Sequence, residues 1–468
     1  MLRSSVVTVA VVSWVIGGAP LRAQIVTTSD ATLAAKVDSI TNQVLQSTGV
    51  PSASVAVVTH GRLAYANAYG AARLEPRVPA TPDMRYAIGS ISKQFTAVAI
   101  LLLQQEGKLS LDDPVSRFIP GLTRGNEVTV RQLLSHTSGY QDFWPQDYVM
   151  PMMLKSTTPQ AIADRWAKQP LDFAPGSRWQ YSNTNYTLAG MVVEKASGTP
   201  FFQFVRTRIL SPAGLTSAAD FDASPRAANA TGYLRYGLGP LRPAPDAGAG
   251  WMWAAGELAM TAKDLANWDI SLIKQNLLRP ESYRELEREV RLNNGAGTGY
   301  ALGLDVAMQG GRFMVEHSGE VSGFTAENMV FPEDSAAIVV LTNQDAAPAS
   351  GAIAQQIAQS LFTTEDALAA SRTAQARAIF EGLQRGTIDR SLFTSNANAY
   401  FSDQALKDFA SSLAPLGAPT AFVQTRKAER GGMVYRSYRA SFPNRTLRVW
   451  TYETPDGKLE QYQVAPQG

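Results

Sequence analysis

The chain reads as an α+β protein: one antiparallel sheet closed by strands from both ends of a large domain, a mainly helical lobe inserted between them, and a small α+β module after it. Three observations in the 468 residues support this. Short apolar runs pair as hairpins near residues 53–68 and again near 325–342, while the stretch between them, from 90 to about 210, has helical periodicity. From about residue 373 the pattern changes to two helices followed by four strand-like runs.

Residues 1–23 have the layout of a removable signal peptide, with Arg3 in a short basic start, an apolar run over 6–16, and Leu21-Arg22-Ala23 before the expected cut. That run is too short to span a bilayer, and no later stretch is long enough. The expectation is a periplasmic or secreted protein with no stable membrane anchor. The chain contains no cysteine, which excludes disulfides, thiolate metal sites and a cysteine-linked lipid anchor. Its formal charge of +2 includes Arg3 and Arg22, so the expected mature chain is near neutral, and no basic run stands out. Nucleic acid and membrane surfaces need clustered lysine and arginine, so neither is expected as a partner.

The large domain is expected over 24–365. It opens with a helix at 31–46, then runs 53–58 and 63–68 around His60-Gly61, a glycine position that suits a hairpin. The most apolar helix follows at 90–105. Pro120-Gly121, Pro175-Gly176 and Gly198-Thr199-Pro200 mark loops in the lobe, and 217–250, rich in alanine, proline and glycine, reads as an irregular excursion. Runs 300–306, 313–315, 325–331 and 336–342 are strand-like, and a helix is expected at 351–361. The module at 373–468 has helices at 374–383 and 402–413 and strands at 422–427, 433–442, 446–453 and 458–464, separated by turns such as Gly431-Gly432 and Pro443-Asn444. Its element order resembles the nuclear-transport-factor-like (NTF2) or cystatin-like class.

Ser90-Ile91-Ser92-Lys93 carries the sharpest chemical signal, because it follows Gly89 and opens the most apolar helix. A serine hydroxyl is a poor nucleophile at neutral pH, and a lysine one helical turn away can reach it and help remove its proton. Ser271-Leu272-Ile273-Lys274 matches the same pattern inside an amphipathic helix without a preceding break, so the pattern alone decides nothing. Tyr181-Ser182-Asn183 precedes another helix; its phenol can pass a proton and its amide can both donate to and accept from an acyl group. His317-Ser318-Gly319 closes the short strand 313–315, with Gly319 where a second backbone can approach. Only three histidines occur, and His60 lies in a hairpin turn. The usual zinc-peptidase, phosphate-loop and nucleophile-elbow motifs are missing, so no metal or cofactor is expected.

Taken in order, Ser90-x-x-Lys93, Tyr181-x-Asn183 and His317-x-Gly319 resemble the penicillin-recognising serine hydrolases: class C β-lactamases, D-alanyl-D-alanine carboxypeptidases of serine peptidase family S12, and esterases of the same fold. Leu133-Leu134-Ser135-His136-Thr137-Ser138-Gly139 is similar to a further signature, as is Ala255-Gly256 ahead of Thr261-Ala262-Lys263-Asp264. The resemblance covers 31–361 and implies a β-lactamase/transpeptidase-like fold. It makes Ser90 the nucleophile, has Lys93 and Tyr181 share the proton transfer, and assigns substrate binding to Asn183, His317 and Gly319. It places the oxyanion hole at the backbone N–H groups of Ser90 and Glu320, and it leaves His136 a structural role.

Which group is the base stays open at this level. Keeping a lysine mostly neutral at neutral pH costs on the order of 4 kcal/mol, and Tyr181 ionised between two cations is the rival. His317 stands where class C β-lactamases usually have lysine, and within the superfamily His-x-Gly is more typical of carboxypeptidases and D-amino-acid peptidases, whereas Trp-x-Gly marks many esterases. The expected activity is hydrolysis through an acyl-enzyme of a small-molecule or peptide substrate, first as a D-amino-acid peptidase, carboxypeptidase or β-lactamase-related amidase. An esterase and a non-catalytic penicillin- or peptide-binding sensor are the alternatives. The oligomeric state is left open.

Overall fold

The computed structural model describes residues 30–146, 148–362, 366 and 368–466. The expected signal segment lies outside them. The described residues divide into two compact units, the first ending at Phe362 and the second comprising 366 and 368–466.

In the first unit, strands β1 (Ser52–Thr59), β2 (Arg62–Arg73), β3 (Val78–Pro79), β4 (Asp305–Gln309), β5 (Arg312–Val321), β6 (Phe324–Phe331) and β7 (Ala336–Thr342) form one antiparallel sheet in the order β3-β2-β1-β7-β6-β5-β4. The first and last strands of the domain lie side by side, Val55 opposite Val340. Nearly all of β1 is buried, because both faces of the sheet are covered. Ala53, Val55 and Val57 face helices α1 (Asp30–Thr48) and α2 (Ala349–Phe362), while Ala56 and Val58 face the core shared with the lobe. The β1–β2 turn places His60 and Gly61 at φ 53° and 66°, the left-handed pair that a two-residue hairpin needs.

The first unit differs from the sequence expectation in four places. The longest helix of the lobe is Asn183–Ser197, and most of the remaining lobe helices are single turns with loops between them. The stretch after Ser217 is not wholly irregular: Ala219–Asp220 pairs with Leu258–Met260, and Tyr233–Arg235 pairs with Leu241–Pro243. Residues 300–304 are not strand. Tyr300, Ala301, Leu302 and Leu304 are apolar because they are buried in a bend, and the strand begins only at Asp305. The strand expected at 313–315 extends to Val321, so His317 lies within β5 and does not end it.

The second unit lays helices Ala369–Gln384, Ser395–Tyr400 and Asp403–Leu413 around a four-stranded antiparallel sheet of β8 (Ala421–Arg430), β9 (Met433–Phe442), β10 (Arg445–Glu453) and β11 (Leu459–Pro466). The first of these helices begins upstream of 373. Phe380, Leu383, Phe422, Tyr438, Val449 and Tyr462 form its core. Arg436 is buried at one end of that core, where its guanidinium reaches Asp366 at 2.8 Å and Glu453 at 2.6 Å. Removing the most buried member of this ion cluster leaves Asp366 and Glu453 to the more exposed Lys427 and Arg372, so Arg436→Ala is expected to destabilise this unit by about 3 kcal/mol in chemical denaturation, whereas Arg445→Ala, at the exposed start of β10, should change little.

Candidate active site

Ser90 sits in a tight turn, Gly89–Ser92, that feeds directly into helix Lys93–Gln105. That helix is buried along nearly its whole length, so its first turn is held firmly. Two glycines let this turn meet strand β5. Gly89 has φ 52°, and a Cβ there would lie 2.8 Å from the backbone nitrogen of Glu320. A Cβ on Gly319 would lie 2.0 Å from the carbonyl oxygen of Ile88. Only glycine fits at 319, and the consequence is that the backbone of Glu320 lies against the segment that carries Ser90.

Lys93 is fully buried, and its amine reaches three oxygens: Ser90 Oγ at 2.8 Å, Asn183 Oδ1 at 2.9 Å and the carbonyl of Ala255 at 2.8 Å. The last two can only accept hydrogen bonds from it. A neutral amine therefore spends both N–H groups on Asn183 and Ala255 and turns its lone pair toward Ser90. Burial lowers the Lys93 pKa to about 7, and Asp142 opposes that drop only in part.

Tyr181 donates to Ser90 Oγ at 2.8 Å from the other side. Burial holds its phenol well above its ordinary pKa, which the hydrogen bond to Ser90 only partly offsets, with Asp142 and Asp305 adding to the rise. His136 positions the segment: its carbonyl accepts from Gln180 N, its Nδ1 accepts from Ser182 N at 3.2 Å, and its ring lies 4.3 Å from that of Tyr181. Asn183 begins the long lobe helix, and its backbone N–H is capped by Asp142 Oδ1 at 2.8 Å.

His317 lies behind Tyr181, with ring centroids 6.2 Å apart, and lines the same cavity without bonding to Ser90. Its Nδ1 faces the carbonyl of Ser318 at 2.5 Å and so carries the proton, which leaves Nε2 to accept from Tyr300 at 2.9 Å. Burial, together with the charge on Lys93, lowers its pKa to about 3, so it is neutral. Tyr181 therefore does not sit between two cations. Ser90, Lys93, Tyr181 and Asn183 form one hydrogen-bonded cluster, while His317 and Gly319 shape its border. Asp142, Tyr300 and Asp305 belong to the site and have no signal in the sequence; Tyr300 is hidden in a run that reads as strand.

Ser90 opens into a cavity of about 730 Å³. Trp144, Trp179, Trp251 and Tyr300 supply much of its apolar wall. Among the described residues its charged lining consists of Asp142, Asp305, Glu320 and Asp345, with no lysine or arginine. Three of these carboxylates hold backbone N–H groups: Asp142 that of Asn183, Glu320 that of Ala346 and Asp345 that of Gly323. Asp305 holds none among the described residues, and burial raises its pKa to about 6. The second hydroxyl–lysine pair does not form such a site. Ser271 is buried and bonds Asn276 at 2.7 Å, whereas Lys274 is exposed. Among the described residues no cluster of metal-binding side chains occurs, and no helix is long and apolar enough to cross a membrane.

Comparison with known proteins bears on the fold and the family. The β-lactamase family matches residues 37–361. Protein flp of Staphylococcus aureus (strain NCTC 8325 / PS 47) is 28% identical over 323 residues, which cover 66% of this chain and 62% of that protein, less than two thirds of its length. A D-stereospecific amidohydrolase from Streptomyces sp. is 28% identical with a TM-score of 0.59, covering 70% of this chain and 98% of its own. The D-amino acid amidase from Ochrobactrum anthropi SV3, complexed with D-phenylalanine, is 25% identical with a TM-score of 0.63 over 70% of this chain and 98% of its own. The chain belongs to the β-lactamase family, among the penicillin-recognising serine hydrolases.

Proposed function

We propose that this protein is an exported serine hydrolase that cleaves amides of D-amino acids, or short peptides beginning with one, through an acyl-enzyme on Ser90. Export rests on the signal-like N-terminus, and the D configuration on the likeness to the amidohydrolase and the amidase. The observation that carries the substrate class is the charge of the cavity: carboxylates line it, and among the described residues no lysine or arginine does, the Lys93 amine lying buried behind Ser90. A substrate ammonium is favoured there. A β-lactam or a peptide ending in a free carboxylate meets no lysine or arginine in the described lining, and His317 is neutral with both its ring nitrogens already engaged. The amidase branch of the expected activities is thus preferred to the carboxypeptidase branch, and β-lactam turnover should be slow.

In the proposed reaction the Ser90 proton passes to the neutral amine of Lys93 as Oγ attacks the substrate carbonyl carbon. The oxyanion is received by the N–H groups of Ser90 and Glu320, each donor being typically worth about 3–4 kcal/mol. Tyr181 hands its phenolic proton to the leaving nitrogen and is reprotonated at the expense of the Lys93 ammonium, and water then releases the acyl group. Asn183 fixes the lysine and can receive the substrate amide.

Asp305 is the proposed partner of the substrate ammonium. Asp305→Asn should lower kcat/KM for a D-amino acid amide about tenfold, the scale of one charge-assisted hydrogen bond, and leave its N-acetyl derivative unaffected. The wild-type preference for the free amine should fade as pH falls below about 6, where Asp305 takes up a proton. Equal activity on free and acetylated amides, or faster cleavage of substrates with a terminal carboxylate, would refute this assignment. Preference for short acyl esters with no amide cleavage would favour the esterase alternative.

A further inference from the structure

The outward face of the sheet in the second unit carries an arrangement that stability does not account for. Residues 435, 437 and 439 of β9 lie directly opposite 452, 450 and 448 of β10, giving the pairs Tyr435–Tyr452, Ser437–Trp450 and Arg439–Arg448. Arg426 of β8 lies opposite Ser437 on the other side. Like charges directly opposite on neighbouring strands are destabilising, yet Arg439 and Arg448 are paired this way, with Arg426 beside them. All three are exposed, and among the described residues none has an acidic partner within ion-pair distance. The nearby acids Asp366 and Glu453 are already committed to Arg436 on the inward face.

These arginines surround an open groove of about 450 Å³ together with Thr425, Tyr435 and Ser437. Arg448 donates to the Tyr435 hydroxyl at 2.7 Å and lies 5.2 Å from the centre of the Trp450 ring. Tyr435 and Tyr452 contact one another at 5.2 Å, and Arg430 donates to the Tyr452 hydroxyl at 3.1 Å. The face thus alternates guanidinium groups with aromatic rings, bordered by hydroxyls and, on β11, by Gln461 and Gln463 opposite Tyr452 and Trp450.

We propose that this face binds a polysaccharide bearing carboxylate groups. Guanidinium forks match carboxylates in a bidentate geometry, aromatic rings pack against the apolar faces of sugars, and the hydroxyl and amide groups between them suit sugar hydroxyls. Binding would relieve the repulsion between Arg439 and Arg448, so the unfavourable pairing becomes part of the recognition. The cations are three forks in one groove, without the dense run that a nucleic-acid backbone calls for. The site lies wholly within the second unit and does not depend on the reaction assigned to Ser90.

The test is affinity electrophoresis of the full chain in gels containing polygalacturonate, neutral dextran or single-stranded DNA. The expected result is retardation by polygalacturonate that weakens with added salt, none by dextran, and less by DNA. The double substitution Arg439→Gln with Arg448→Gln should weaken polygalacturonate binding at least about tenfold, keep amide hydrolysis unchanged, and shift the thermal midpoint little, the relieved repulsion offsetting the lost Arg448–Tyr435 hydrogen bond. Arg426→Gln, a single exposed change, should weaken binding by a smaller factor and serves if the double variant fails to fold. No retardation of the wild type, retardation unaffected by these substitutions, or DNA binding as tight as polygalacturonate binding would each overturn the proposal.

Discussion

Ser90→Ala should lower turnover of amides and esters by up to about a millionfold, the scale on which serine hydrolases depend on their nucleophile, while Ser271→Ala should leave turnover unchanged. The contrast is sharp because both serines stand three residues before a lysine. Only at Ser90 do the two side chains meet, Lys93 and Tyr181 each lying 2.8 Å from Oγ. Ser271 spends its hydroxyl on Asn276. Steady-state assays beside thermal melts separate loss of chemistry from loss of fold. A Ser90→Ala protein that melts normally and keeps turnover within tenfold of wild type would remove Ser90 from the mechanism.

Lys93→Met is the second large effect, an expected fall of about a hundredfold to ten-thousandfold, which is the usual contribution of a positioned base. The pH profile makes the test specific. The Lys93 pKa is lowered to about 7, so the amine is charged below that pH and neutral above it. Acylation by the wild type should therefore rise with pH through about 7 and then level off, and Lys93→Met should lose that limb. Had Tyr181 been the base, the limb would lie far into the alkaline range, because burial keeps its phenol protonated. A limb in that range would reassign the base to Tyr181. Full retention of the limb near 7 in Lys93→Met would also exclude Lys93.

The parts of the site legible in the sequence are those built from local geometry. Ser90 and Lys93 are one turn apart on a helix whose apolar run is plain, and the termini-closed sheet follows from hairpin signals at both ends. What stayed hidden depends on contacts between distant segments. His317 and Gly319 occupy buried positions of β5, alternating with exposed Ser318 and Glu320, but that buried side meets the Ile88 carbonyl and the cavity wall and not an apolar core. The alternation of β5 therefore contains no hydrophobic residues from 316 to 320, and read by hydropathy the strand ends early. Residues 300–304 mislead in the opposite sense, since deep burial makes a bend as apolar as a strand. Asp142 and Asp305 carry no local mark at all. Their meaning comes from the helix start at Asn183 and from the cavity, and both exist only after folding.

The most direct measurement is intact-mass analysis of the protein during turnover of a D-amino acid ester or amide, followed by peptide mapping of the trapped species. A single transient acyl group per chain is expected, on the peptide containing Ser90, present in Ser271→Ala and missing in Ser90→Ala. An adduct on Ser271, adducts spread over several serines, or hydrolysis with no acyl-enzyme in rapid-quench samples would contradict the Ser90 mechanism.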